Sequence, residues 1–177
     1  MILIDTKQAA ETVMNPILLL IFVIGISVLV SRQIYIFLEQ QYGLKYKRPF
    51  FLNAIVFPKQ LTEKQVLILK KQFSFYQRLN SKEQIVFRHR VAKFISTKAF
   101  VGREYLVPTD EMKILIAATA VMLTFGFRNY LIDLVDIIII YPKVYYSQIN
   151  ETHHKGETNP QLKTIVFSWE DFENGYR

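Results

Sequence analysis

A stretch of twenty residues without a charged side chain, Thr12 to Ser31, most strongly limits what this chain can become. As an α-helix rising about 1.5 Å per residue, it would reach roughly 30 Å, which matches the hydrocarbon core of a bilayer. We therefore expect a transmembrane helix. A buried core helix is the alternative, and a cleaved signal peptide fits less well because the leading segment carries only Lys7 beside Asp5 and Glu11.

The flanking charges predict the orientation of this helix. Lys7 is the one basic residue that precedes it, whereas four basic residues follow it closely, Arg32, Lys45, Lys47 and Arg48. The positive-inside rule then places the C-terminal side in the cytoplasm. We expect a single-pass membrane protein with the bulk of the chain on the cytoplasmic side.

Composition and charge divide the chain further. Residues 1–43 are expected to form the transmembrane anchor and a juxtamembrane helix that ends at Gly43. Residues 44–60 form an irregular connector, and residues 61–177 the N-terminal part of a folded domain. The absence of cysteine excludes a disulfide framework, thiolate zinc ligands and a cysteine nucleophile.

Two capping-box patterns predict a helical hairpin joined near Asn80. Thr62 with Gln65 three residues later marks one helix start. Ser81 to Gln84 repeats the pattern and marks a second. A third start is predicted at Thr109, followed by two carboxylates and the uncharged run 114–127, which at about 21 Å is too short to span a bilayer and indicates a core helix.

Two strands are predicted downstream of this core helix. Asp136 to Pro142 reads D-I-I-I-I-Y-P, the pattern of a strand buried on both faces. Thr164 to Trp169, T-I-V-F-S-W, is the second. Helices and strands in this order predict an α+β fold.

Several of these segments together resemble the zinc-dependent peptidases of the MtfA family, the Mlc titration factor group. The residues that carry the resemblance are V-A-K-F-I-S-T-K-A-F-V-G (91–102), T-D-E-M-K-I-L-I-A-A (109–118), I-I-I-I-Y-P (137–142), G-E (156–157) and V-F-S-W (166–169). The resemblance implies the start of a mixed α/β metallopeptidase domain, followed by a zinc-binding helix with the motif H-E-x-x-H. In that motif two histidines hold zinc and the glutamate activates water, while an acidic residue downstream completes the ligands.

The sequence to Arg177 contains no H-E-x-x-H motif. We therefore assign no catalytic and no metal-binding residue here, and we expect truncation before the zinc helix. Zinc is expected for the full-length family member, together with a peptide substrate or a regulatory protein partner. The 177-residue chain by itself is expected to be metal-free and inactive.

Isolated histidines and carboxylates do not change this expectation. His153 and His154 are neighbours in a predicted loop, where adjacent side chains point in opposite directions and offer too few converging ligands. His89, between two arginines, is interpreted as a solvated residue without a role. Asp133 and Asp136 are interpreted as solvated residues before a strand rather than as an acid-base pair.

Two other functions stay open. The chain could be a membrane-tethered regulatory or protein-interaction module without catalysis. It could also bind nucleic acid, because residues 44–103 carry fourteen Lys or Arg against Glu63 and Glu83. Anionic membrane lipid is the nearer partner for these charges, and the aromatics that would stack on bases are needed for the core, namely Phe73, Phe75, Tyr76 and Phe87.

Overall fold

The computed structural model describes the backbone of residues 2–50, 58–147 and 151–176, and within these ranges the side chains of residues 16–175. The chain divides into two compact units, Met1–Lys47 and Arg48–Arg177.

The first unit is a single helix, α1, Ile2–Tyr46. Its segment Pro16–Tyr46 is long and apolar enough to cross a membrane. The prediction that Gly43 ends the helix is wrong, because Gly43 lies within it. A single glycine costs only about 1 kcal/mol in a helix. The helix ends where Lys47 adopts a left-handed φ of 55° and donates its N–H to the carbonyl oxygen of Gly43, at 3.0 Å.

The described residues of the second unit form five helices. They are α2 (Glu63–Gln72), α3 (Ser74–Gln77), α4 (Ser81–Thr97), α5 (Asp110–Leu123) and α6 (Trp169–Tyr176). Both α2 and α4 contact α5. The one-turn helix α3 lies between α2 and α4, at the place where the sequence predicted a simple hairpin connection.

The helix starts agree with the capping patterns, with one shift. Thr62 and Gln65 form the predicted capping box. The cap of α4 is Asn80 rather than Ser81. Asn80 Oδ1 accepts the N–H of Glu83, and Glu83 Oε2 accepts the N–H of Asn80, both at 3.0 Å. Ser81 and Gln84 have the same spacing of three residues, but the side chain that reaches back to the cap is that of the buried Glu83, which pairs with Asn80.

Four strands form one mixed sheet: β1 (Ala99–Gly102), β2 (Ile137–Tyr141), β5 (Gly156–Asn159) and β6 (Thr164–Ser168). Their order is β1-β2-β6-β5. β1, β2 and β6 are parallel, and β5 is antiparallel to β6. Two further strands, β3 (Tyr145–Ser147) and β4 (Thr152–His154), form a separate antiparallel pair.

The sheet has two unlike faces. Ile138 and Ile140 are buried in the core that the helices provide, and we call this side the helix face. Ile137 and Ile139 alternate with them on the outer face, where Ile137 is 36% exposed and Ile139 is half-buried. The prediction of a strand buried on both faces is therefore wrong for the described chain, since only one face of β2 meets a helix layer.

Candidate functional site

The two adjacent histidines lie in strand β4 rather than in a loop. His153 pairs with Tyr146 and His154 with Tyr145 across the β3–β4 pair. The His153 ring meets Tyr146 edge-on, with centroids 5.4 Å apart. Adjacent strand residues point to opposite faces, so the two imidazoles do not converge on one point. Nε2 of His154 is buried without a hydrogen-bond partner in the described structure.

His89 has a structural partner, in contrast to the solvated residue that the sequence suggested. Its Nδ1 accepts the backbone N–H of Lys59 at 2.8 Å. Burial, followed by the charges of Arg90, Lys93 and Lys59, lowers the pKa of His89 below 6.5. The neutral imidazole thus ties the chain before α2 to the surface of α4.

The two aspartates before β2 bind different partners. Asp136 forms ion pairs with Lys163 at 3.3 Å and with Lys98 at 3.7 Å. Asp133 Oδ2 accepts a hydrogen bond from Asn129 at 2.7 Å. Among the described side chains of residues 16–50, 58–147 and 151–175, no three from His, Cys, Asp or Glu are grouped so that they could hold a metal ion. The described residues therefore do not fit a catalytic zinc, which takes three protein ligands.

A cleft of about 420 Å³ lies on the outer face of the sheet, and we call it the outer cleft. The strands β2 and β6 form its floor, and β3 forms one wall. The lining residues that matter for its chemistry are Arg103, Tyr141, Tyr145, Ser147 and Glu157. It is the most polar of the cavities described.

Tyr145 is the unusual group in the outer cleft. Its ring stacks on Tyr141 with centroids 4.4 Å apart. Burial and the nearby Glu157 and Tyr141 raise the pKa of Tyr145 to about 12, so its phenol stays protonated at neutral pH. Glu157 Oε2 accepts a hydrogen bond from Ser147 at 2.9 Å. The cleft offers hydrogen-bonding groups and the carboxylate of Glu157 to a polar ligand.

A second concave region lies on the helix face beside α5, and we call it the α5 groove. It consists of cavities of about 440 Å³ and 390 Å³. Thr119, Asp171 and Phe172 line both cavities. The walls of the larger one are mainly apolar side chains of α4, α5 and the sheet, namely Phe94, Ile116, Ala120, Leu123, Ile165 and Phe167.

The polar rim of the α5 groove is already satisfied. Lys155 Nζ lies 2.7 Å from Asp171 Oδ1. The hydrogen bonds from Lys155 and Ser168 lower the pKa of Asp171. Asp171 also donates its N–H to Ser168 Oγ at 3.2 Å, which caps α6. The two charges pair with each other, and most of the groove surface is apolar.

Comparison with known proteins adds two findings. The family model described as glucose-regulated metallo-peptidase M90 matches residues 47–177. The uncharacterized protein slr2042 of Synechocystis sp. is 24% identical over 113 residues, a match that covers 58% of this chain and 41% of that protein. The chain therefore matches less than half the length of this relative.

Proposed function

The chain belongs to the glucose-regulated metallo-peptidase M90 family, and from this premise we propose that it is the N-terminal part of a membrane-anchored, zinc-dependent peptidase of the MtfA type. The observation that carries the proposal is the extent of the family match. It begins at residue 47, where α1 has just ended, and covers all of the unit Arg48–Arg177.

The proposed peptidase takes its zinc ligands from outside the 177 residues. Grouped His, Cys, Asp or Glu ligands are absent from the described part of the chain, and the sequence has no H-E-x-x-H motif. A zinc ion held by such a motif would polarise a peptide carbonyl and activate water. The unit Arg48–Arg177 would supply the sheet and helices on which that motif is held in place.

In this proposal α1 anchors the protein in a membrane. The segment Pro16–Tyr46 passes the length and apolarity requirements for a membrane span. Arg32 and Lys45 lie in its C-terminal half, whereas Lys7 is the one basic residue that precedes it. The bias of basic residues supports a cytoplasmic location for the unit Arg48–Arg177.

The proposal is tested by comparing the 177-residue chain with a version extended through an H-E-x-x-H helix, both in the same detergent. Zinc content and aminopeptidase turnover are measured on each. We expect about one zinc per extended chain, with turnover, and substoichiometric zinc without turnover in the short chain.

His153→Ala and His154→Ala serve as matched variants in both proteins. We expect neither to change the zinc content of the extended chain. Stoichiometric zinc in the short chain that either substitution removes would move the metal site to β4 and contradict the proposal. An extended chain without zinc would favour the regulatory module instead.

A further inference from the structure

One side of α4 carries basic side chains at helical spacing. Lys82, His89 and Lys93 follow one another at intervals of seven and four residues, which places them on one stripe of the helix. Ile85 lies on the same stripe and is 50% exposed. The core-facing residues of α4 lie on another side of the helix, among them Phe87, Val91 and Phe94.

Two residues that precede α2 in the chain add positive charge to this stripe. Lys59 Nζ donates to Ser96 Oγ at 2.7 Å, and the backbone N–H of Lys59 binds His89. Arg48 Nε lies 3.2 Å from Glu83 Oε1 in the first turn of α4, and the Arg48 side chain is 57% exposed. We define the basic surface as Arg48, Lys59, Lys82, Ile85 and Lys93.

The lysines of the basic surface have no carboxylate partner in the described part of the chain. The ion pairs found there involve none of Lys59, Lys82 and Lys93. The carboxylate of Glu83 is buried and already binds Arg48. Basic side chains without nearby acidic groups produce a positive potential outside the protein, which attracts anionic partners.

His89 indicates the same excess of positive charge. Burial lowers its pKa most, and the charges of Arg90, Lys93 and Lys59 lower it further. Every charge that shifts this pKa is therefore positive. A group whose charged neighbours are all cations lies in a region of positive potential.

The place of the basic surface in the chain favours phospholipid as the anion. The apolar residues of α1 continue to Leu38, and the helix ends at Tyr46. Those eight residues rise about 12 Å, which is comparable with the Debye length of about 8 Å at physiological ionic strength. Arg48 follows only two residues after Tyr46. A membrane that α1 crosses therefore supplies headgroups at a high effective concentration.

Nucleic acid fits the basic surface less well. Proteins that bind single strands stack the bases on exposed aromatic side chains. The aromatic residues of α4 and of the segment before it are 2%, 0% and 0% exposed, namely Phe73, Tyr76 and Phe87. The exposed apolar residue of the surface is the aliphatic Ile85, which is suited to the interfacial layer of a bilayer.

We propose that the basic surface binds the anionic phospholipid headgroups of the membrane that α1 crosses. This inference rests on the anchoring by α1 in the proposed function and is independent of peptidase activity. Each Lys or Arg held near an anionic leaflet strengthens binding by roughly fivefold. The four cations of the surface act together, and Ile85 enters the interfacial layer between Lys82 and Lys93.

A fluorescent probe on the basic surface tests this docking in the 177-residue chain. Because the sequence has no cysteine, Ile85→Cys and Gln161→Cys each introduce a single thiol for an environment-sensitive NBD label. Gln161 lies in the exposed turn between β5 and β6 and serves as the control position. Each labelled protein is placed in nanodiscs that contain a headgroup-quencher lipid, with phosphatidylcholine alone or with about 30% phosphatidylglycerol.

The quenching of NBD is compared between the two kinds of nanodisc. At position 85 we expect quenching at least about twofold stronger in the anionic discs, and we expect the difference to disappear near 1 M salt, where the Debye length is about 3 Å. Position 161 should be quenched equally in both. Equal quenching of position 85 in both kinds of disc would overturn the proposal, and this comparison needs no substitution of a lysine.

Two pairs of substitutions distinguish this surface from net charge. Lys82→Gln with Lys93→Gln removes two charges of the basic surface, and Arg103→Gln with Lys143→Gln removes two exposed charges elsewhere. We expect the first pair to reduce quenching in anionic discs to its level in neutral discs, and the second pair to retain the native value. Equal loss in both pairs, in proteins that keep their urea unfolding midpoint, would show that net charge drives binding and would overturn the proposal.

Flotation with neutral vesicles at about 1 M salt measures anchoring by α1 separately, because electrostatic binding is screened there. Failure to float would reject the anchoring in the proposed function, and the docking with it. Flotation without stronger quenching of position 85 in anionic discs would overturn the docking alone. A fluorescent oligonucleotide that binds the native chain in neutral discs, and does not bind the Lys82→Gln, Lys93→Gln pair, would assign the surface to nucleic acid and overturn the proposal.

Discussion

Arg90 Nη1 lies 2.9 Å from the carbonyl oxygen of Phe125, and this bond joins α4 to the end of α5. The same nitrogen donates to the carbonyl oxygen of Phe127 at 3.0 Å. The guanidinium also lies 4.6 Å from the ring centre of Tyr130. Arg90 is 7% exposed, and burial lowers its pKa. A buried charge is thus held by the free carbonyls that follow a helix.

Replacing Arg90 is expected to destabilise the second unit. Arg90→Met removes the donors and leaves the carbonyl oxygens of Phe125 and Phe127 without them, at a cost of about 2–4 kcal/mol. Arg90→Lys keeps the charge but loses the planar group over Tyr130, so we expect a smaller loss. Urea unfolding followed by the fluorescence of Trp169, the sole tryptophan, measures both. An equal loss for the two variants would show that the geometry of the guanidinium is unimportant.

Removal of the α5 cap tests a contact that the sequence predicted. Thr109 Oγ1 accepts the N–H of Met112 at 3.2 Å. Thr109→Ala should lower the free energy of unfolding by about 1 kcal/mol, while Thr109→Ser should retain most of it. The same urea titration applies. An unchanged midpoint in Thr109→Ala would mean that the hydrogen bond contributes nothing net.

Acid should weaken the contact between His89 and Lys59. The pKa of His89 is lowered in the folded state, so the unfolded chain takes up a proton first as the pH falls. The stabilisation is complete above about pH 6.5 and is lost as the pH falls toward the folded-state value. His89→Asn replaces Nδ1 with an amide oxygen that does not titrate.

Unfolding free energies from about pH 7 to about pH 5 measure this effect. We expect a shallower loss of stability in His89→Asn than in the native chain. His153→Asn, which changes an exposed histidine of β4, should retain the native slope. Parallel curves for all three proteins would rule out a contribution from His89.

Gly102 is required by the turn that follows β1. A Cβ at this position would overlap the carbonyl oxygen of Leu106 and approach Pro108. Gly102→Ala should therefore displace the turn and cost about 1–3 kcal/mol. Gly175→Ala is the matched control, because its Cβ would meet no atom within 4 Å. Similar unfolding midpoints for the two variants would contradict the close approach.

Membrane orientation is checked with single cysteines in intact cells. Gln161→Cys lies on an exposed turn of the second unit, and Gln8→Cys precedes the apolar segment in sequence. The proposed topology predicts that an impermeant maleimide labels Cys at position 8 and not at position 161. Labelling at position 161 in unlysed cells would reverse the orientation.

Local signals in the sequence predicted the starts of α2, α4 and α5 and the positions of β2 and β6, whereas β1, β3, β4 and β5 were not predicted. Thr62 and Thr109 each accept a hydrogen bond from the backbone N–H three residues later, so these bonds can be inferred without tertiary information. The shift from Ser81 to Asn80 arose because both residues are good caps, and the choice depends on the burial of Glu83. Gly43 was misjudged because an exposed apolar helix continues through a single glycine.

Features that depend on how the strands pair could not be predicted from the sequence. The histidines of β4 lacked a clear strand pattern, because β3 and β4 are only three residues long and pair over a short separation in sequence. Tyr145 and Ser147 of the outer cleft were not singled out, and Glu157 was noted only as part of the family resemblance. Residues 145–147 alternate between buried and exposed in the structure, but Y-Y-S shows no matching alternation of apolar and polar residues, and three residues are too few to identify a strand from its period.

The parallel pairing of β2 has a consequence for biosynthesis. β2 is flanked by β1, which precedes it by the whole of α5, and by β6, which follows only after β3, β4 and β5. Such distant pairings raise the contact order and slow folding. During translation, β2 leaves the ribosome before β6 has been synthesised, so one edge of β2 is unpaired during that time. Until β6 is made, the unpaired edge of Ile137–Tyr141 favours aggregation, and binding of a chaperone to this segment would prevent it.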